Sequence, residues 1–190
     1  YIKLSYLSPD LEEGYPGNLN VMVTYTLLTN TLKITHEATT DKTTVVNLTN
    51  HSYFKLDSEP VIDHYHLKLN CNKILETHAN LLPTGNFTEV NQTKYDFLNK
   101  KIIGETRLDT PFVINPDNNI AAEVSSEISG ITMLVKTNQP AVIIYTPPTT
   151  GSICFETQNF PDAPNHTHFP SSVLEPSEKY VNQSTFTFKT

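Results

Sequence analysis

The sequence predicts an all-β fold, a large antiparallel β-sandwich, on three observations. Apolar and polar residues alternate with a period of two over many short segments, as along 19–28, where Val21, Val23, Tyr25 and Leu27 fall on one face. These segments are separated by turn-forming clusters such as Thr29-Asn30, Asn138-Gln139-Pro140 and Pro147-Pro148-Thr149-Thr150-Gly151. No segment keeps a 3.6-residue apolar period over the length of a normal helix.

Taken in order, residues 2–7 alternate and form the first strand, followed by a polar turn with Pro9, Asp10 and Gly14. Strand 19–28 turns at Thr29-Asn30 into an arm in which Leu32, Ile34, His36 and Ala38 alternate, so the two make a hairpin. Its reverse face, Lys33, Thr35, Glu37 and Thr39, is polar and is expected to face water. Residues 43–48 read as the next strand, running directly into His51. Short strands at 65–70 and 74–77 precede a turn at 82–85 and a polar segment with Tyr95, Asp96 and Phe97. Strands at 121–125, 132–137, 141–146 and 152–158 lead to a last strand at 185–189, with Phe186 and Phe188 facing in. The 190 residues show no repeat, low-complexity segment or linker, which fits one domain.

Composition narrows the function classes. The chain carries 13 Lys and Arg against 20 Asp and Glu, a net charge of −7, and has no basic run to track a phosphate backbone, so no nucleic-acid partner is expected. Arg107 is the sole arginine, so no guanidinium cluster is available for a phosphorylated ligand, and a neutral ligand fits better. No apolar stretch is long enough to span a bilayer, and no membrane partner is expected. Cys71 and Cys154 follow no metal spacing and read as two free, buried thiols of a reducing, cytoplasmic compartment. Asn-x-Ser/Thr triplets occur at Asn47, Asn50, Asn86, Asn91, Asn165 and Asn182, but a chain this rich in Asn, Ser and Thr produces most of them by chance, and Asn47 is expected in a buried strand.

The stretch most suggestive of chemistry begins at Glu156. It ends the apolar run Ser152-Ile153-Cys154-Phe155, and an ionised glutamate at the end of a buried strand is rare unless paired or used. Pro161 and Pro164 make the segment after that strand an ordered polar loop rather than a helix. A second cluster, Asn50-His51-Ser52-Tyr53, offers groups that hydrogen-bond and stack. His64 and His66, on one face of a strand, and His166 and His168, in a loop, invite a metal reading, but such spacing arises from strand alternation alone and no metal is assigned.

Asn50-His51-Ser52-Tyr53-Phe54 and Glu156-Thr157-Gln158-Asn159-Phe160-Pro161-Asp162-Ala163-Pro164-Asn165, in that order, resemble the galactose mutarotase (aldose 1-epimerase) family. Leu108-Asp109-Thr110-Pro111-Phe112 resembles the family's Asp-His-x-Phe segment, and Gly14-Tyr15-Pro16-Gly17-Asn18 resembles its Gly-Tyr/Phe-Pro-Gly turn. The resemblance spans about residues 6–189 and implies the family's supersandwich fold. It also implies that the chain corresponds to the C-terminal two thirds of such a protein, a sandwich incomplete at its N-terminus, to be completed by an N-terminal fragment or a second chain. By resemblance, Glu156 matches the catalytic base, His51 the catalytic acid and Asp109 a sugar-binding aspartate, with Asn50, Tyr53 and Ile143 as further substrate-binding positions. Ile143 stands where many members have Gln, and Thr110 where a histidine is often found.

The activity implied is interconversion of the anomers of a free hexose, a small-molecule sugar, without a cofactor. Ring opening needs a base for the anomeric hydroxyl and an acid for the ring oxygen, expected on opposite sides of the sugar in one cleft. Imidazole titrates near neutrality, and desolvation raises a carboxylate, so His51 and Glu156 suit the two roles. The alternative is a carbohydrate-binding protein of the same fold with little or no turnover.

Overall fold

The computed structural model describes residues 1–116 and 120–190. Its strands are β1 (Ile2–Ser8), β2 (Leu19–Leu28), β3 (Thr31–Thr40), β4 (Thr44–Val45), β5 (Tyr53–Phe54), β6 (His66–Leu69), β7 (Lys73–Thr77) and β8 (Pro83–Glu89). They continue with β9 (Lys101–Ile102), β10 (Asp109–Val113), β11 (Ala122–Ser125), β12 (Thr132–Thr137), β13 (Ala141–Tyr145), β14 (Ile153–Gln158), β15 (Val173–Leu174) and β16 (Tyr180–Lys189). An eight-stranded sheet runs β1-β2-β3-β16-β12-β11-β6-β9, a six-stranded sheet runs β5-β14-β13-β10-β7-β8, and β15 pairs with β4. All pairings are antiparallel.

The two large sheets face each other across one apolar core. Ile34, Leu67, Val124, Met133, Val135 and Phe186 come from the larger sheet, and Ile74, Phe112, Val142, Ile144, Ile153 and Phe155 from the smaller. Alternation puts these residues on the inner faces and leaves the outer face of the six-stranded sheet free for other work. Phe54 bridges the layers, with its ring 4.8 Å from Phe186 and 6.4 Å from Phe155.

The β2–β3 hairpin, β12 and the β13–β14 pair lie close to where the alternation places them, and the differences elsewhere have physical reasons. The strand expected at 43–48 is only β4, and Asn47 is exposed rather than buried. β8 and β10 both contain proline, which reads as a turn in sequence. β8 is an edge strand with Pro83 first, where no ladder donor is required. In β10, the ladder to β7 holds only Phe112 and Val113, so Pro111 lies just beyond its end. β16 begins at Tyr180 rather than at 185, because its first inward residues are polar: Asn182 and Ser184 are buried and hydrogen-bonded. The proline-rich loop after β14 contains one 3-10 turn, Ala163–Asn165, entered through Asp162 at φ 59°.

Candidate active site

Cross-strand register assembles the site on the outer face of the six-stranded sheet. In β14, Phe155 points into the core and Thr157 bonds Ser184 of the opposite sheet, so Cys154, Glu156 and Gln158 point outward. Residues directly opposite in an antiparallel pair share a face, which defines three rows across the strands. The first is Tyr53, Cys154, Tyr145, Asp109; the second is Glu156, Ile143, Pro111; the third is Gln158, Ala141, Val113, Lys73. Phe160, Ala163 and Phe169 from the loop after β14 cover the third row by packing on Leu75, Ala141 and Val113.

His51 reaches this face by a route other than a strand. Val46 still donates its backbone N–H to the Ser172 carbonyl at 2.8 Å, and residues 47–50 are held by side chains that replace a backbone ladder. Asn47 and Asn159 exchange two hydrogen bonds of 3.0 Å, side-chain amide to backbone carbonyl and backbone N–H to side-chain oxygen. Thr49 Oγ1 donates to the Thr157 carbonyl at 3.0 Å. Buried Asn182 donates to the carbonyls of Leu48 and Thr157, both at 2.7 Å, and the Tyr180 hydroxyl bonds both the N–H and the carbonyl of Leu48. Asn50 then donates to the Tyr25 hydroxyl and accepts from the Ser52 N–H, which commits its amide to orienting the turn that carries His51.

The two chemical groups meet directly: His51 Nε2 lies 3.2 Å from Glu156 Oε1, with side-chain exposures of 47% and 12%. The imidazole is bracketed by aromatic rings, Tyr53 at 5.0 Å and Tyr145 edge-on at 5.9 Å. Burial pushes the Glu156 carboxyl above the ordinary carboxylate range; His51 pulls it partly back, and Asp109 adds to the rise. The Tyr53 hydroxyl is also raised, chiefly by desolvation, and burial pushes the Cys154 thiol, two residues before Glu156 on the same face, up to about 12. A thiol held protonated in this way is packing rather than a nucleophile.

The structure therefore brings Glu156, His51, Asp109, Tyr53 and Ile143 to one face, with Asn50 behind His51. One feature differs from expectation: the acid and base candidates touch each other instead of being separated by the width of a sugar. A groove of about 640 Å³ lies on the other side of the 160–165 loop, lined by Tyr15, Val46, Leu82 and Phe160, and contains none of Glu156, His51 and Asp109. Tyr145 and Cys154 join the site through register alone, and sequence could have found them by counting two residues along β13 and β14.

The other histidines disperse. His64 precedes β6 instead of lying on it and pairs with Asp57 at 2.7 Å, while His66 faces Glu127 at 3.7 Å. His168 bonds the Gly85 carbonyl, and His166 lies 3.3 Å from Asp162. Among the described residues no three His, Cys, Asp or Glu side chains stand close enough to share a metal ion.

Comparison with known proteins decides the family. The family model described as aldose 1-epimerase matches residues 1–187. The chain belongs to the aldose 1-epimerase family. Galactose mutarotase from Sus scrofa is 34% identical over 98% of this chain and 62% of its own length. An aldose epimerase homologue from C. elegans superposes with a TM-score of 0.93 at 28% identity, covering 98% of this chain and 65% of the other. Galactose 1-epimerase from Lactobacillus acidophilus gives a TM-score of 0.86 at 30% identity, with 98% and 62% covered. The fold is that of this family, and the chain spans about three fifths of the length of the curated relatives it matches.

Proposed function

We propose that this protein is an aldose 1-epimerase that interconverts the α and β anomers of a free hexose, with Glu156 as base and His51 as acid. The observation that carries the reading is the 3.2 Å contact between a largely buried carboxylate of raised pKa and an accessible imidazole. The anomeric hydroxyl oxygen and the ring oxygen share one carbon, so two neighbouring groups can serve both. Glu156 takes the hydroxyl proton, the C1–O1 bond becomes a carbonyl, and the bond from C1 to the ring oxygen breaks as His51 protonates that oxygen. Rotation about C1–C2 presents the other face of the aldehyde. Reversal of the proton transfers closes the opposite anomer and returns both groups to their starting states. Asp109 and Tyr145, opposite one another at one end of the site, supply partners for sugar hydroxyls, and Tyr53 supplies an aromatic wall. Polarimetry of freshly dissolved α-D-galactose and α-D-glucose tests the activity, and a rate equal to that of buffer alone would reject it.

We also propose that the unit formed by these 190 residues is completed by further polypeptide, on an N-terminal fragment or a second chain. β1 has a free edge, and Ile2, Leu4, Tyr6 and Leu7 are all exposed. Such an edge is a template for another strand. Residues 1–190 produced alone are expected to associate or aggregate, and a monodisperse, cooperatively melting monomer would refute this. A cytoplasmic setting fits the two buried free thiols. Among the described residues no helix is long and apolar enough to cross a membrane.

A further inference from the structure

The two proton-transfer groups are held by unequal means. Glu156 sits in the middle of β14, whose residues 154–158 all pair with β13, so a backbone ladder fixes its place on the sheet. His51 has no ladder of its own and lies between two anchors on that same strand. Two residues after it, Tyr53 pairs with Cys154 at the end of the β5–β14 ladder. Two residues before it, Thr49 Oγ1 donates to the Thr157 carbonyl at 3.0 Å. Cys154 and Thr157 stand on either side of Glu156 in β14, so the chain between the anchors carries His51 past the carboxylate, at 3.2 Å.

The second anchor is doubled from the opposite sheet. Asn182 of β16 is 1% exposed and uses both amide protons, one on the Thr157 carbonyl and one on the Leu48 carbonyl, each at 2.7 Å. Carbonyls only accept, so the amide fits one way round, with its oxygen left to Ser184 Oγ at 3.5 Å. The other bonds to this segment act elsewhere. Tyr180 holds Leu48 to β16, the Asn47–Asn159 pair lies four residues before His51, and Asn50 closes its own turn and reaches Tyr25 of β2. Among the described residues, Thr49 and Asn182 are the side chains that fasten the segment to the residue next to Glu156.

We infer that Asn182 and Thr49 are positioning residues for the anomerisation, a clasp on the Thr157 carbonyl that sets the separation of His51 from Glu156. This rests on the roles proposed for those two groups. Without the clasp His51 is fastened to β14 on one side alone, at Tyr53, and a displacement of about 1 Å at a reacting group costs as much as about 10²-fold in rate. Asp109 and Tyr145 sit on β10 and β13, whose ladder the clasp does not touch, so sugar binding changes little. The proton affinity of Glu156 reports the same movement. His51, Asp109, Tyr53, Tyr145 and Cys154 share its face. Burial raises its carboxyl, His51 lowers it and Asp109 adds to the rise, so withdrawal of His51 raises it further.

The test measures kcat and KM for galactose anomerisation by polarimetry, and the Glu156 carboxyl by a carboxyl-carbon NMR titration, in Asn182→Ala, Thr49→Val, Thr49→Ser and Ser184→Ala made in the complete protein. Asn182→Ala is expected to lower kcat about 10- to 10²-fold at little-changed KM, and Thr49→Val to lower it less, with Glu156 titrating at higher pH than in the parent in both. Thr49→Ser keeps the hydroxyl and is expected to recover the parent's kcat and titration. Ser184→Ala loses buried bonds to the Thr157 hydroxyl and Thr137 but none to residues 47–50, so it is expected to melt lower with kcat unchanged. Parent-like kcat in both clasp variants overturns the inference, as does a loss in Ser184→Ala equal to that in Asn182→Ala, or a Thr49→Ser as slow as Thr49→Val. If Asn182→Ala does not fold, the two Thr49 variants decide. Anomer exchange by the parent no faster than buffer rejects the catalytic reading instead. The carboxyl titration then decides the clasp, and a Glu156 unmoved in the clasp variants overturns it.

Discussion

Glu156→Gln is expected to slow catalysed anomerisation by about 10²- to 10⁴-fold, the usual contribution of a positioned acid–base group. The amide keeps the shape and hydrogen-bonding reach of the side chain but cannot take the anomeric proton. Polarimetry at saturating sugar reads this directly, and a variant as fast as the parent would remove Glu156 from the mechanism.

The same substitution has a second expected consequence. Burial raises the Glu156 carboxyl above its ordinary value of 4.5, so the folded state holds the proton more tightly than the unfolded chain. The native state then binds more protons than the unfolded state between the two pKa values, and stability falls as pH rises through that window. The stabilising contribution is complete below the unfolded value and lost above the raised folded one. Above the raised folded value the parent carries a desolvated carboxylate that Glu156→Gln does not, and there the variant is expected to melt higher. That advantage should shrink as the pH is lowered towards 4.5. Turnover runs the other way, since the base form is populated only above the raised pKa. A variant that melts lower than the parent above that value, or by a margin independent of pH, would contradict the electrostatic account of the site.

Much of this site was legible in the sequence because β-alternation is a strong code. Cys154, Glu156 and Gln158 had to share a face once 152–158 was read as a strand, and likewise Ile143 and Tyr145. The contact between His51 and Glu156 was not legible, since it depends on a segment with no ladder of its own. Residues 47–50 are placed by Asn182, Tyr180, Thr49 and the Asn47–Asn159 pair. Asn182 and Tyr180 lie more than a hundred residues away in sequence, and their polar side chains also hid the first half of β16. β8 and β10 were obscured for a related reason: Pro83 and Pro111 are turn signals by composition, and only their neighbours in the sheet show that neither position needs a donor.

The neighbour of Glu156 in β14 carries the opposite expectation. Phe155 faces the core, is 1% exposed, and stands opposite Ile144, with the Phe54 ring 6.4 Å away. Removing such a side chain loses its transfer free energy and leaves a cavity, so Phe155→Ala is expected to cost about 3–5 kcal/mol. Against a typical total of about 5–15 kcal/mol this is a large share, and at about 2–4 °C per kcal/mol for a chain of this size the melting temperature should drop by roughly 6–20 °C. Phe54 also packs on Phe186 and adjoins Tyr53, so the cavity loosens β5, the edge strand whose Tyr53 ring stacks against His51. Urea denaturation of parent and variant measures the loss. A cost below about 1 kcal/mol would mean that the sheets close over the gap, against the close packing that makes core truncations expensive. Turnover measured well below the variant's melting temperature should fall far less than in Glu156→Gln, because the proton-transfer groups remain on the outer face. A Phe155→Ala protein that is stable but as inactive as Glu156→Gln would show that core packing, rather than the carboxylate itself, limits the reaction.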